Sequence, residues 1–112
     1  LQLISKLTKL KSLEIKCKHL KSFPKEIGNL VKLDKLKMYC ENLKELPKEI
    51  GNLTNLKKLE IDCKKLKGIP HEIKKLINLE YIHILWDGKT EELPQEILSF
   101  KKLNSVHICN LK

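Results

Sequence analysis

The chain has 112 residues, 41% of them hydrophobic and 33% charged, which is enough for one compact domain with a true core and a polar surface. Its formal net charge is +9, yet all the basic residues are Lys and the chain contains neither Arg nor Ala. The missing Arg argues against a specific nucleic-acid binder, and no apolar run approaches the roughly 18 residues of a membrane span.

A repeated phrase organises the whole sequence. Pro-Lys-Glu-Ile-Gly-Asn-Leu begins at Pro24 and recurs at Pro47, with variants beginning at Pro70 and Pro94. These spacings of 23, 23 and 24 residues are typical of a solenoid. We therefore predict one domain over residues 1–112, made of about five repeats and uncapped at both ends, as part of a longer array. The predicted repeats are 1–23, 24–46, 47–69, 70–93 and 94–112.

Each repeat contains a strand signature and a helix signature. Leu13-x-Ile15-x-Cys17 alternates with a period of two, which predicts a strand with one buried side. The same alternation follows at 36–40, 59–63, 82–86 and 106–110. Pro24 predicts the first turn of a short helix, which we expect Gly28 to end early.

These phrases resemble the leucine-rich-repeat family, in the subclass whose repeats carry Leu-Pro-x-x-Ile-x-x-Leu. The residue pattern of the repeats is most similar to that of spirochaete-type bacterial and plant intracellular repeats. The resemblance implies an α/β fold, a right-handed solenoid forming a horseshoe segment. Its parallel concave sheet would have about five strands, and its short helices would lie on the convex side.

The sequence departs from the family pattern at one interior position. The family usually places Asn there, but this chain has Lys18, Glu41 and Lys64. Charged side chains are too costly to bury unpaired, so we expect the preceding residues, Cys17, Cys40 and Cys63, to point inward instead. Three interpretations of these residues are buried apolar thiols, a disulfide between neighbours, and metal ligands. The lack of a Cys-x-x-Cys spacing favours buried thiols, which slightly favours a cytoplasmic location.

The residues that alternate with the buried positions form the predicted concave face. They run from basic, through acidic, to aromatic and imidazole side chains. We predict that the partner-binding residues are Glu14, Lys16, Lys37, Tyr39, Glu60, Asp62, Tyr81, His83, Leu85 and His107. The alternative is that these Tyr and His residues are ordinary strand formers on an exposed sheet.

Two features near the end of the chain, a Trp and a pair of His residues, have more than one interpretation. Trp86 occupies the inward position that Cys fills elsewhere, and is either a larger core filler or an aromatic anchor for a partner. His83 and His107 are predicted to be neighbours on the concave face, where together with Cys109 they could bind zinc; two exposed His residues without an ion are the favoured interpretation, because no partner that would orient the rings is identified. We therefore predict no metal site and no cofactor.

The sequence contains no nucleophile motif, phosphate loop or other catalytic signature, and so predicts no enzyme. We predict a protein–protein interaction module, belonging to a larger receptor, effector or scaffold, that binds a protein or peptide on its concave face. A homodimer through the uncapped ends is a further possibility. The alternatives are electrostatic binding of nucleic acid or anionic membrane through the Lys-rich surface, and a purely structural spacer.

Overall fold

The sheet contains five parallel strands in sequential order. The computed structural model describes residues 4, 6–87 and 92–110. The strands are β1 (Ser12–Lys16), β2 (Lys35–Tyr39), β3 (Lys58–Asp62), β4 (Tyr81–Trp86) and β5 (Ser105–Asn110). This arrangement confirms the predicted solenoid, in which each strand pairs with the strand of the next repeat.

The strands are paired in the register that the repeat spacing predicts. Leu13 pairs with Leu36, 23 residues along the chain, and β2 pairs with β3 in the same way. Between β4 and β5 the offset is 24 residues, as in the pair Ile84 and Ile108. The additional residue therefore leaves the register of the sheet intact. A slip of one residue would turn every apolar side chain to the outer side.

A second layer of short 3-10 helices connects the strands. They are η1 (Lys25–Asn29), η2 (Lys48–Asn52), η3 (His71–Lys75) and η4 (Gln95–Ser99). The predicted helices are present, but each has the tighter 3-10 form, as shown by the bond from Ile27 N to Pro24 O at 3.2 Å. Pro24 is extended, with φ −67° and ψ 144°, so it precedes the helix and is not part of its first turn.

The glycines of η1 and η2 have a different role from the predicted one. Gly28 and Gly51 lie inside their helices, and the described glycines all have negative φ. Lys74 occupies the equivalent position in η3, and that helix has the same length, so Gly is not what ends the helix. A Cβ on Gly51 would lie 2.5 Å from the carbonyl oxygen of Glu72. Glycine is required because the next repeat passes this close.

Gly51→Ala should destabilise the protein, because the added methyl group would clash with the carbonyl group of Glu72 in the next repeat, which cannot move without shifting the backbone. We expect a loss of about 1–3 kcal/mol in the free energy of unfolding, as for other overpacked sites. Gly68→Ala is the matched control, since its Cβ would meet nothing within 4 Å; it should be neutral or stabilising by up to about 1 kcal/mol. Urea denaturation measures both, and equal midpoints would contradict this account.

The core lies between the two layers and consists of apolar side chains stacked at the repeat period. The inward residues of the three central strands are fully buried: Leu36, Met38, Leu59, Ile61, Ile82 and Ile84. The helices contribute Ile27, Ile50 and Ile73, also fully buried. Burial decreases toward β5, where Val106 is 41% exposed. Each side chain therefore depends on the repeats before and after it for its burial.

Candidate binding face of the sheet

The strands present three residues each on the side of the sheet opposite the core. All ten predicted partner-binding residues lie there, half-buried or exposed, as do Ser12, Lys35, Lys58, Ser105 and Cys109. The alternation in each strand accounts for this, because successive side chains point to opposite faces. The structure thus brings the ten residues onto one surface, and their role in binding stays a prediction.

Tyr39 joins β2 to β3 on this face. Its hydroxyl donates a hydrogen bond to the Glu60 carboxylate. This bond, followed by burial and by the negative charges of Glu60, Glu14 and Asp62, raises the pKa of Tyr39 to about 12. The hydroxyl therefore stays protonated near neutral pH and remains a donor. Lys16 Nζ lies 5.7 Å from the Tyr39 ring centroid and 3.9 Å from Glu14 Oε2.

Aromatic and imidazole rings form a second cluster on β4 and β5. The centroid of His107 lies 5.8 Å from that of Tyr81 and 6.2 Å from that of His83. Lys58 Nζ lies 4.9 Å from the Tyr81 centroid, within the range of a cation–π contact. Ser105 Oγ is 3.2 Å from His107 Nε2. His107 therefore lies between Tyr81 and His83 and links the two rings into one cluster.

The centre of the concave face is acidic although the chain is basic overall. Glu60 is paired in register with Lys37 and His83, and Asp62 with Tyr39 and Leu85. Asp62 is half-buried between two residues that carry no positive charge. The face therefore combines a positive region on β1 and β2, a negative centre on β3 and a ring cluster on β4 and β5.

The zinc hypothesis gains no support from this arrangement. The two imidazoles are adjacent, but Cys109 is paired in register with Leu85, not with either His. Across residues 4, 6–87 and 92–110, no group of three or more His, Cys, Asp or Glu side chains is placed to hold a metal ion. His83 and His107 are neighbours within the ring cluster.

Trp86 and the three cysteines that recur at the repeat period, Cys17, Cys40 and Cys63, lie beneath the concave face. Trp86 is fully buried, so it fills the interior and is not an exposed anchor for a partner. Its indole N–H has no hydrogen-bond partner in the part of the chain that the structure describes. Cys40 and Cys63 are fully buried and Cys17 is half-buried, as predicted. Lys18, Glu41 and Lys64 are exposed, which agrees with their exclusion from the interior.

A groove along the edge where the strands begin was not predicted. Its lining residues are Lys11, Lys32, Asp34, Asn55, Lys57, Asn78, Glu80 and Lys102. Asn55 Nδ2 donates to Val31 O at 3.0 Å, and Asn78 Nδ2 donates to Thr54 O at 2.7 Å, so each Asn ties its repeat to the one before. The sequence does contain a signal for this groove. At the repeat period of 23 residues, the charge alternates between Lys11, Asp34, Lys57 and Glu80.

Among the residues that the structure describes, no helix has the length and apolar character needed to cross a membrane.

A family model described as a leucine-rich repeat region matches residues 1–111. No curated protein gives a significant match.

Solved structures with the same fold come from a bacterium and a plant. The Leptospira interrogans leucine-rich-repeat protein LIC12759 is 39% identical with a TM-score of 0.76, over 91% of this chain and 26% of that one. The leucine-rich-repeat ectodomain of the Arabidopsis thaliana receptor kinase SOBIR1 is 27% identical with a TM-score of 0.72, over 96% of this chain and 61% of that one. The chain thus spans about a quarter of the first structure and three fifths of the second.

Proposed function

The chain belongs to the leucine-rich-repeat family, and we propose on that premise that it is a protein–protein interaction module which binds a polypeptide on its concave face. In this proposal it has no catalytic role and works as part of a larger receptor, effector or scaffold. The similar Arabidopsis structure is the ectodomain of a receptor kinase, which supports this class of function without identifying a partner.

The observation that carries the proposal is the composition of the concave face. Folding requires apolar side chains on the inner side of β4, but it does not require Tyr81, His83 and Leu85 on the outer side. Aromatic residues are enriched in surfaces that bind proteins, and Tyr81 lies with His83 and His107 on this outer side. Contact with a partner is the function that best accounts for this patch.

The size of the face sets an expectation for affinity. A stable interface usually engages about 20–30 residues on each side. Three outward residues from each of five strands provide fewer than that, although the groove lined by Lys57 and Glu80 extends the surface. We therefore propose that residues 1–112 bind weakly alone and more tightly within a longer array of repeats.

The charge distribution favours a polypeptide over a polyanion. A nucleic acid or an anionic membrane would lie against Glu60 and Asp62 at the centre of the face. Carboxylates in that position would repel phosphate groups, and electrostatic binding of this kind weakens steeply with salt. A polypeptide with both charged and apolar side chains has no such conflict.

The test is affinity capture from a nuclease-treated lysate of the source organism. The wild type is compared with the triple variant Tyr39→Ala, Tyr81→Ala, His83→Ala, and with a control triple variant, Lys48→Ala, His71→Ala, Lys75→Ala, on the exposed helix side. We expect the concave-face variant to lose proteins that the wild type and the control retain. Urea midpoints of all three proteins establish that they are folded.

The same proteins retained by all three would contradict binding through the concave face. If capture depended on nucleic acid, the wild type would retain proteins from an untreated lysate and lose them from the nuclease-treated one. Retention that falls steeply between about 50 and 200 mM salt would favour the electrostatic alternative. Proteins retained by the wild type and control at both salt concentrations support the proposal.

A further inference from the structure

Cys40 and Cys63 occupy equivalent positions in neighbouring repeats and are in contact. Each follows directly after its strand, and the preceding residues, Tyr39 and Asp62, are paired in register. Parallel strands are about 4.8 Å apart, within the range of about 4.4–6.8 Å that a disulfide needs between Cα atoms. The two side chains form a hydrogen bond with each other, and both are fully buried. The sulfur atoms are therefore close before any bond forms.

The surroundings make the two thiols chemically unequal. The hydrogen bond from Cys63 lowers the pKa of Cys40, and backbone N–H groups of Cys17 and Tyr39 act in the same direction against burial. The same hydrogen bond, together with burial, raises the pKa of Cys63. Cys40 consequently loses its proton first, and a thiolate is the form that reacts with oxidants.

We propose that Cys40 and Cys63 are a site of oxidative cross-linking, where hydrogen peroxide joins two neighbouring repeats through a disulfide. Peroxide is the suitable oxidant because it is small enough to reach a buried pair when the strand ends open locally. A bulky disulfide oxidant would first have to form an adduct in a closed core. The site goes beyond partner binding and does not depend on it.

The reaction has two steps. The Cys40 thiolate attacks one oxygen of hydrogen peroxide, the O–O bond breaks, and the departing hydroxide takes up a proton to become water, leaving a sulfenic acid on Cys40. Cys63, which loses its proton as it reacts, attacks the Cys40 sulfur and displaces the hydroxyl group as a second water molecule. Two thiols are oxidised to one disulfide, and one peroxide is reduced to two waters.

The other two cysteines are placed less favourably for the same reaction. Cys109 is exposed on the opposite side of the sheet, where it is in register with Leu85. Cys17 is half-buried, its backbone N–H donates to Tyr39 O at 3.2 Å, and its side chain is not among the groups that shift the pKa of Cys40. Only one disulfide can form among three stacked residues, and side-chain contact favours the pair in the central repeats.

The test uses the double variant Cys17→Ser, Cys109→Ser, which retains only the proposed pair. After treatment with hydrogen peroxide and denaturation, we expect both thiols to be lost to thiol titration and the monomer mass to fall by two hydrogens. The control adds Cys63→Ser. In that triple variant Cys40 is expected to stop at the sulfenic acid, which dimedone traps; the double variant should yield little dimedone adduct.

The wild type gives a second readout that does not depend on the Ser substitutions. Peptide mapping after oxidation should find a link between Cys40 and Cys63, and the urea midpoint should rise relative to the reduced protein because the link restricts the unfolded chain. Two thiols that remain free in the double variant would overturn the proposal. A wild-type link from Cys17 to Cys40, a link between molecules, or a lower midpoint after oxidation would also overturn it.

Discussion

Trp86→Ala should lower the free energy of unfolding by about 3–5 kcal/mol, the usual cost of removing a large aromatic side chain from a core. Trp86 is the largest of the fully buried side chains. It lies at the end of β4, where it is paired in register with Asn110 of β5. Ala would leave a cavity in the core at the end of β4, and the surrounding side chains would lose their contacts with the indole. Far-UV circular dichroism in urea measures the change without relying on tryptophan emission.

Trp86→Phe is the informative control for this substitution. The indole N–H has no partner in the described part of the chain, so its loss removes no hydrogen bond to those residues, and Phe retains most of the ring volume. We expect Phe to cost clearly less than Ala. A loss of less than about 1 kcal/mol for Ala would show that the site collapses around the missing ring.

Leu59→Ala should destabilise the whole array by about 2–5 kcal/mol, a large part of a typical total stability of about 5–15 kcal/mol. Leu59 is fully buried in the central strand. It is paired in register with Leu36 on one side and Ile82 on the other. The loss therefore weakens both interfaces of the middle repeat, and Ile61→Ala should behave in the same way.

Lys64→Ala is the matched control for these core substitutions. Lys64 is exposed in the turn after β3, and a surface change of this kind should stay within about 0.5 kcal/mol of the wild type. Urea denaturation, monitored by Trp86 emission, measures the stability of the Leu59→Ala, Ile61→Ala and Lys64→Ala variants. A Leu59→Ala midpoint as close to the wild type as that of Lys64→Ala would be incompatible with a buried central strand.

The strands, their parallel order and their register followed from the sequence because they depend on local alternation and on a constant period. Leu13, Ile15 and Cys17 were assigned inward from alternation alone, and a period of 23 residues places each beside its own equivalent in the next strand. These features need no knowledge of distant contacts. The same reasoning placed Tyr39 and His83 on the outer side of the sheet.

The features that the sequence did not predict depend on distances between repeats. The role of Gly51 reflects how closely Glu72 approaches, and a linear pattern does not contain that distance. The Tyr39–Glu60 hydrogen bond depends on side-chain rotamers in two repeats. The groove at the edge where the strands begin depends on Asn78 reaching back to the preceding turn.

Gly28 and Gly51 also affect the curvature of the molecule. Hydrogen bonds fix the spacing of the strands at about 4.8 Å, so the separation of the helices on the other side determines how sharply the sheet bends. Glycine lets η2 pack closely against η1, and η3 against η2, whereas Lys74 and Leu98 occupy the equivalent positions of η3 and η4. The helix layer packs less closely between η3 and η4. Glycine on the helix side therefore governs how closely successive repeats can pack behind the sheet.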